Sequence, residues 1–239
     1  MPVERFYKPI AFSSGKIFNL EGSEYHHLKN VVRITAGEEV ECINGKGELA
    51  QVEVDALTKT EGTLRVLSVT TEPRPRFECI IAQAIPRQSR LETVVEKSTE
   101  LGMTQLWLFP GKRSGRKALS NQHQKRIELL AISAMKQCGR LWLPEIRSLP
   151  PLTEWEAPPY AAYYGDIEPD ATPFQAAVGK TMPTEGILFF IGPEGGFDNE
   201  EIELLKAFAA TGVKLHNNIL RTDTAPLVAL SLIQHWLLA

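Results

Sequence analysis

The sequence predicts an α/β protein, in which a mainly parallel sheet with helices on both faces follows a small β-barrel domain. Before residue 74, short segments alternate apolar and polar residues, as antiparallel strands with one buried face do. After it, apolar strand patterns alternate with amphipathic helix patterns, which is typical of parallel strands connected by helices. A polar segment with two prolines and two arginines, residues 70–76, separates the patterns. We therefore predict two domains, 1–73 and 74–239.

In the first domain, strands are predicted at residues 39–43, 48–54 and 62–67. The Asn-Gly-Lys-Gly segment at 44–47 indicates a hairpin between the first two strands, because asparagine and glycine accept the backbone angles of tight turns. Residues 25–33 are predicted to form the one helix of this domain.

In the second domain, strands are predicted at 78–83, 105–109, 161–164 and 187–191. Ser89 and Glu92 form a capping-box pattern that predicts the start of a helix, and Gly102 is expected to end it. A basic loop at 111–117 precedes a long helix that presents Ile127, Leu130, Ala134 and Cys138 on one face. Residues 144–159 contain five prolines, which favours an irregular surface crossing.

Charge is distributed unevenly along the chain, although the net charge is only −3. Residues 74–147 carry 14 Lys and Arg against 6 Asp and Glu, whereas residues 148–239 carry 4 against 12. A basic middle third between acidic ends is the electrostatic pattern of a phosphate-binding surface. The alternative is a solvated basic face without a partner.

Composition indicates a cytoplasmic protein without a membrane span or a metal. No apolar run approaches the ~20 residues that cross a bilayer, and the N-terminus lacks the apolar region of a signal peptide. The three cysteines, Cys42, Cys79 and Cys138, are far apart and form no zinc or disulfide pattern. The adjacent His26 and His27 have no third ligand nearby, so we favour a helix surface or an RNA contact for them.

The segment Gly-Pro-Glu-Gly-Gly-Phe at 192–197 lies between the apolar run 187–191 and a second capping-box pattern, Asp198 to Glu201. A strand, a glycine turn and a capped helix together direct backbone N–H groups toward a ligand beyond the end of the strand. Glycine allows that ligand to contact the main chain, since no Cβ intervenes. An ordinary tight turn between strand and helix is the alternative.

A second segment, residues 213–226, contains Arg221 between an apolar pair and the start of the last helix. Thr224 is the expected N-cap of that helix, and Pro226 fits its first turn. Capping alone could explain Thr222, Asp223 and Thr224. It does not explain Arg221, whose guanidinium suggests a carboxylate or phosphate held by two hydrogen bonds.

Together the two segments resemble those of the bacterial ribosomal RNA (uridine-N3) methyltransferases of the SPOUT superfamily. The resemblance extends over nearly the whole chain, including residues 86–90, 100–102, 113–114 and 137–140. It implies a PUA-like RNA-binding first domain and a trefoil-knotted second domain. It further implies that the chain uses S-adenosylmethionine to methylate N3 of a uridine in 16S ribosomal RNA and acts as a homodimer. The last helix is apolar almost all round, so one of its faces could pack on a partner subunit. A monomer that buries this helix completely is the alternative.

The resemblance also assigns candidate site residues. The catalytic candidates are Arg221, Asp223 and Glu194, with Glu100 as a further carboxylate. The cofactor-binding candidates are Tyr164, Gly165, Ile191, Gly192, Pro193, Glu194, Gly195, Gly196, Leu215, Asn217, Asn218, Ile219, Leu220, Thr222 and Ala225. The RNA-binding candidates are Arg5, Arg33, Arg87, Arg90, Arg113, Arg116 and Arg140.

Two residues depart from the family pattern: His216 stands where glycine is expected, and Asn218 where the family has arginine. Histidine and asparagine tolerate positive φ better than most residues, so the turn can form. The departures keep alternatives open. The chain could methylate another RNA atom, such as a ribose 2′-hydroxyl, or bind RNA with a degenerate cofactor site. A nicotinamide-binding enzyme is disfavoured, because no Gly-x-Gly-x-x-Gly follows any strand.

Overall fold

The computed structural model describes residues 4–179 and 183–238, which form two compact units. Of the described residues, the first unit comprises those up to Arg74 and Ile132–Leu143, and the second Pro75–Ala131 and those from Pro144 onward. Segment 132–143 thus folds with the N-terminal residues, whereas the domain prediction placed it with the second domain. Met135 and Leu141 pack in one apolar cluster with Ile43, and Lys136 Nζ lies 2.8 Å from a Glu24 carboxylate oxygen.

The first unit is a five-stranded sheet around one apolar core. Its elements are β1 Arg5–Tyr7, β2 Ile17–Glu21, α1 Gly22–His26, β3 Glu39–Ile43, β4 Glu48–Leu57 and β5 Glu61–Thr71. The strand order is β1-β3-β4-β5-β2, with β1 parallel to β3 and the other pairs antiparallel. All five strands contribute to the core, which Leu28 of the π-helical segment His27–Val32 completes. The predicted helix at 25–33 is therefore present, and it ends at Arg33 in the left-handed conformation.

The predicted hairpin at 44–47 joins β3 to β4. The side-chain oxygen of Asn44 accepts the backbone N–H groups of Lys46 at 2.8 Å and Glu48 at 3.2 Å. Gly45 and Gly47 have φ angles of +73° and +86°, which other residues rarely adopt. The asparagine and the two glycines thus have the roles that a tight turn requires.

The second unit is a six-stranded parallel sheet in the order β11-β9-β10-β6-β7-β8. Its elements, with the helix α3 that spans both units, are β6 Glu78–Ala84, α2 Gln88–Glu100, β7 Gln105–Phe109, α3 Asn121–Cys138, β8 Glu145–Ser148, β9 Ala161–Gly165, α4 Phe174–Val178, β10 Gly186–Ile191, α5 Asn199–Ala207, β11 Thr211–Val213 and α6 Ala225–Leu237.

Helices cover both faces of this sheet, as predicted. On one face Ala82, Tyr164 and Phe190 form a cluster with Leu205 of α5. On the other face α6 contacts β6, β10 and α2. There Phe174 of α4 lies 5.2 Å from the ring of Phe189 and 5.6 Å from that of Trp236.

Three local predictions are wrong. Ser89 does not cap α2, whose N-cap is Arg87, because the Glu92 carboxylate bonds with Gln88 and Arg126 instead. Residues 144–159 are not wholly irregular, since β8 pairs with β7 and forms one edge of the sheet. Cys138 is exposed, because it lies at the end of α3, where Met135 occupies the buried position.

No helix within residues 4–179 and 183–238 combines the length and the hydropathy that crossing a bilayer requires. The same residues contain no group of three or more His, Cys, Asp or Glu side chains placed to hold a metal ion.

Candidate cofactor and RNA site

The candidate site lies at the carboxyl edge of the parallel sheet in the second unit. Because all six strands run the same way, the segments that follow β6, β7, β9, β10 and β11 emerge at this edge. Both sequence motifs lie here: the glycine turn, residues 192–197, follows β10, and the cofactor loop, residues 214–224, leads from β11 to α6. The carboxyl edge is where open parallel sheets bind their ligands.

Hydrogen bonds within the glycine turn fix its shape. The N–H of Gly196, whose φ is +70°, donates to the carbonyl of Pro193 at 2.8 Å. The Asp198 carboxylate accepts the N–H of Glu201 at 2.8 Å, and the Glu201 carboxylate accepts the N–H of Asp198 at 3.0 Å. The capping box predicted for α5 is thereby confirmed. The Glu201 N–H bond holds the pKa of Asp198 below its ordinary value. Gly195 and Gly196 are exposed, so the turn presents main chain to a ligand.

The carboxylate of Glu194 joins the glycine turn to the segment after β6. Its Oε1 accepts the backbone N–H of Arg87 at 3.2 Å and lies 3.7 Å from Nη1 of Arg90. Two of the arginines expected to bind RNA therefore lie directly beside the glycine turn.

The basic loop, residues 111–117, meets the glycine turn from the β7 side. Nη1 of Arg113 donates to the Gly195 carbonyl at 2.9 Å. Lys117 Nζ donates to the Gly111 carbonyl at 2.6 Å and so closes the basic loop on itself. Arg116 Nη1 lies 3.1 Å from the His123 Nδ1 atom. The basic loop thus carries its arginines to the rim of the candidate site.

The cofactor loop combines exposed residues with buried polar atoms. Residues 216–219 are exposed, and the exposed fraction of Ile219 is 78%. By contrast, Oγ1 of Thr222 and Oδ1 of Asp223 are buried and have no hydrogen-bond partner among the described residues. Buried polar atoms in native proteins are usually paired. These two fit a site whose bound ligand supplies the missing partner.

Arg221 is exposed and lies just before α6, where it immediately precedes Thr222 and Asp223 in the chain. Its carbonyl accepts the N–H groups of Thr224 and Ala225, both at 2.9 Å, which begins the helix. Thr224 occupies the predicted N-cap position but makes no side-chain capping bond, and Pro226 is in the first turn.

Several predicted cofactor residues have buried side chains. Tyr164 is 5% exposed, and its ring packs edge-on against Phe197 at 6.4 Å. Burial raises the pKa of the Tyr164 hydroxyl. Ile191 and Pro193 are buried as well. At these positions no side chain is exposed to a ligand.

Two further predicted residues are placed differently from the expectation. Glu100 ends α2 next to the turn into β7, which is the opposite edge of the sheet, and pairs with Lys97 at 2.8 Å. It therefore cannot join the candidate site. In the first unit, Arg5 Nε bonds with the Glu41 carboxylate at 2.7 Å, whereas Arg33 is exposed and Arg140 is partly buried.

Sequence reasoning missed some residues that shape this site. Ser114 is 7% exposed, and its hydroxyl finds no partner in the part of the chain that the structure describes. Glu201 was expected only to cap α5, yet its second oxygen accepts the N–H of Lys112 at 2.8 Å. The two residues are 89 positions apart, so no local pattern could reveal this bond.

Family models match both parts of the chain. The RNA methyltransferase domain matches residues 72–234, and the RNA methyltransferase PUA domain matches residues 20–67. The chain belongs to this RNA methyltransferase family. The predicted fold class, a SPOUT-type α/β sheet preceded by a PUA-like domain, is confirmed by these matches and by the solved structures below.

Relatives that match nearly the whole length of this chain share one name, ribosomal RNA small subunit methyltransferase E. The Bacillus subtilis protein is 29% identical over 229 residues, which are 91% of this chain and 90% of that protein. The Synechocystis protein is 30% identical over 89% of this chain and 71% of its own length.

Two solved structures resemble the fold closely. The Neisseria gonorrhoeae ribosomal RNA small subunit methyltransferase E, bound to S-adenosyl methionine, has a TM-score of 0.85 and 26% identity, with 98% of each chain covered. A Legionella pneumophila protein described as a methyltransferase, also in complex with this cofactor, has a TM-score of 0.86 and 27% identity. That match covers 99% of this chain and 98% of the other.

Proposed function

We propose that this protein transfers the methyl group of S-adenosylmethionine to N3 of a uridine in 16S ribosomal RNA. The observation that carries the proposal is the pair of loops at the carboxyl edge. One exposes the main chain of Gly195 and Gly196, and the other holds the unpaired buried atoms of Thr222 and Asp223. Both lie in a chain of the RNA methyltransferase family, and solved relatives bind S-adenosylmethionine.

The main chain of the glycine turn and of the cofactor loop would hold the cofactor. When bound, S-adenosylmethionine supplies an electrophilic methyl group on a sulfonium. Exposed glycine main chain can approach such a ligand closely, and the Thr222 hydroxyl has unused hydrogen-bonding capacity. Positioning dominates catalysis of this kind, because the methyl group must lie in line with the attacking nitrogen.

Arg221 and Asp223 are the residues we assign to the uracil. N3 must lose its proton before or as it attacks, and negative charge then spreads onto the two carbonyl oxygens that flank N3. The exposed Arg221 guanidinium can stabilise that charge. Asp223 has a carboxylate oxygen without a partner in the described residues and can accept a hydrogen bond or the proton. Glu194 is already engaged by Arg87 and Arg90, which favours a positioning role for it.

The arginines around the glycine turn would bind RNA phosphates near the target. Arg87, Arg90, Arg113 and Arg116 lie at this edge of the second unit. Arg5, Arg33 and Arg140 are assigned to RNA contacts of the first unit. Because N3 is paired in a helix, the target uridine has to be unpaired or extruded. We place this activity in the cytoplasm.

The last helix supports the proposal of a homodimer. Leu237 and Leu238 are 43% and 86% exposed. Leu227, Leu232 and Trp236 are only partly buried, although the sequence of α6 is apolar on nearly every side. A second copy of the chain would cover these side chains.

The test is transfer of labelled methyl from S-adenosylmethionine to small ribosomal subunits from cells that lack this protein. Wild type and Arg221→Ala are compared, and the labelled nucleoside is identified. N3-methyluridine made only by the wild type supports the proposal. Label found on a ribose 2′-hydroxyl would mean that the target atom is this oxygen and not N3 of the uracil. No label, together with no cofactor binding by calorimetry, would leave an RNA-binding protein.

A further inference from the structure

The buried carboxylate of Glu201 makes two hydrogen bonds that lead to different segments. The residue is 3% exposed. Its Oε2 accepts the N–H of Asp198 at 3.0 Å and completes the cap of α5. Its Oε1 accepts the N–H of Lys112 at 2.8 Å, in the basic loop. A capping box needs only the first bond, so the second has another consequence.

The bond to Lys112 closes a ring of contacts around the glycine turn. The next residue in the chain, Arg113, donates from Nη1 to the carbonyl of Gly195 at 2.9 Å. The peptide unit that follows Gly195 is fixed from its other side too, since the Gly196 N–H donates to the Pro193 carbonyl at 2.8 Å. Two residues further on, the chain reaches the cap of α5 and returns to Glu201.

Close packing supports the same ring. A Cβ added to Gly111 would lie 3.1 Å from the Cβ of Ala84 and 3.4 Å from Cδ of Pro193. A Cβ added to Gly195 would lie 3.3 Å from the Cβ of Arg113. The basic loop and the glycine turn are therefore packed so closely at Gly111 and Gly195 that an added Cβ would have little space. A small shift of one segment thus displaces the other.

We propose that Glu201 is a positioning residue for methyl transfer. By fixing the backbone of Lys112, it places Arg113 against Gly195 and preorganises the main chain that receives S-adenosylmethionine. Preorganisation raises affinity because the loop is ordered on folding rather than on binding. Glu201 itself touches neither cofactor nor RNA. This inference rests on the proposed function, since it assigns the glycine turn to the cofactor.

The test is calorimetric binding of S-adenosylmethionine to the full-length chain. Glu201→Gln keeps the size of the side chain but replaces one acceptor oxygen with an NH₂ group and removes the charge, so one of the two bonds is lost and the other is weakened. We expect affinity to fall about tenfold. The matched control is Glu203→Gln, the same change elsewhere on α5, where the side chain is 71% exposed and pairs with Lys206. The control should bind within about twofold of the wild type.

Two further variants separate positioning from helix stability. Asp198→Ala removes the other half of the cap and the ion pair of Asp198 with Lys112 Nζ, at 3.3 Å, but leaves the Lys112 N–H bond to Glu201 in place. It should lower the melting temperature as Glu201→Gln does, yet weaken binding less. Arg113→Ala should weaken binding about as much as Glu201→Gln, and the double variant should add little to either.

Unchanged affinity in Glu201→Gln, or additive losses in the double variant, would overturn the inference while wild-type binding stands. Absence of binding by the wild type would overturn the proposed function and this inference together. The two failures are therefore distinguishable in a single series of titrations.

Discussion

The backbone N–H of Asn218 donates to Nδ1 of His216 at 3.0 Å, within the cofactor loop. A ring nitrogen accepts a hydrogen bond only when it carries no proton, so this bond requires His216 to be unprotonated at Nδ1. The side chain thereby closes a turn among exposed residues. Residue 216 thus supports the loop in a way that glycine, the residue expected from the family, cannot.

We expect the His216→Phe variant to weaken S-adenosylmethionine binding. Phenylalanine keeps a planar ring but has no acceptor, so the Asn218 N–H loses its partner and the turn loosens. Loss of about three- to tenfold in affinity is expected from one hydrogen bond. His216→Asn is the matched control, because its side-chain oxygen can accept the N–H two residues on. Calorimetry with equal affinities for both variants would contradict this role.

Removal of Arg221 should affect the chemical step more than cofactor binding. The guanidinium is assigned to charge on the uracil, so Arg221→Ala should lower the methylation rate about 100-fold or more. Affinity for S-adenosylmethionine should stay within about threefold of wild type. Single-turnover transfer and calorimetry measure the two effects. Lys206→Ala removes a positive charge on the surface of α5, where it pairs with Glu203, and should leave both unchanged. Parallel losses in rate and affinity would instead assign Arg221 to the cofactor.

The sequence alone predicts those features of the fold that depend on neighbouring residues. The capping box of α5 lies within four consecutive residues, Asp198 to Glu201, and both of its bonds are present. The hairpin at 44–47 likewise depends on one asparagine and two glycines. Apolar runs such as residues 187–191 are long enough to identify buried strands. Local patterns of this kind survive because no distant contact competes with them.

Long-range contacts explain the features that the sequence does not reveal. Segment 132–143 joins the first unit because Lys136 pairs with Glu24, which is 112 positions away. Ser89 fails as a cap because Arg126 binds the Glu92 carboxylate that a capping box would need. In the site, the motifs identify the glycine turn and the cofactor loop. The bonds that join the turn to the segments after β6 and β7 emerge only from the folded chain.

Gly47→Ala should destabilise the first unit. Its φ is +86°, and an added Cβ would lie 2.5 Å from the Glu72 carbonyl oxygen and 2.6 Å from the ring of Trp142. Strain and overlap together should lower the free energy of unfolding by about 2 kcal/mol or more. Gly37→Ala is the control, since its φ is +89° but nothing lies within 4 Å of the added atom. It should cost about 1 kcal/mol from strain alone. Urea unfolding followed by tryptophan fluorescence measures the difference, and equal costs would exclude the overlap.

The three thiols should differ sharply in reactivity. Cys138 is exposed, whereas burial raises the pKa of the Cys42 thiol from 9.0 to about 12 and Cys79 is 1% exposed. Thiolate is the reactive form, so iodoacetamide at pH 8 should label Cys138 alone in the native chain. Mass spectrometry counts the labels on each chain.

The raised pKa of the Cys42 thiol also affects stability at high pH. The folded chain keeps the Cys42 proton that the unfolded chain releases near pH 9, so this stabilising contribution is complete below pH 9 and is lost as the pH rises toward 12. The Cys138→Ser variant should lose the rapid label and keep this pH dependence. Labelling of native Cys42 as fast as Cys138 would contradict its burial.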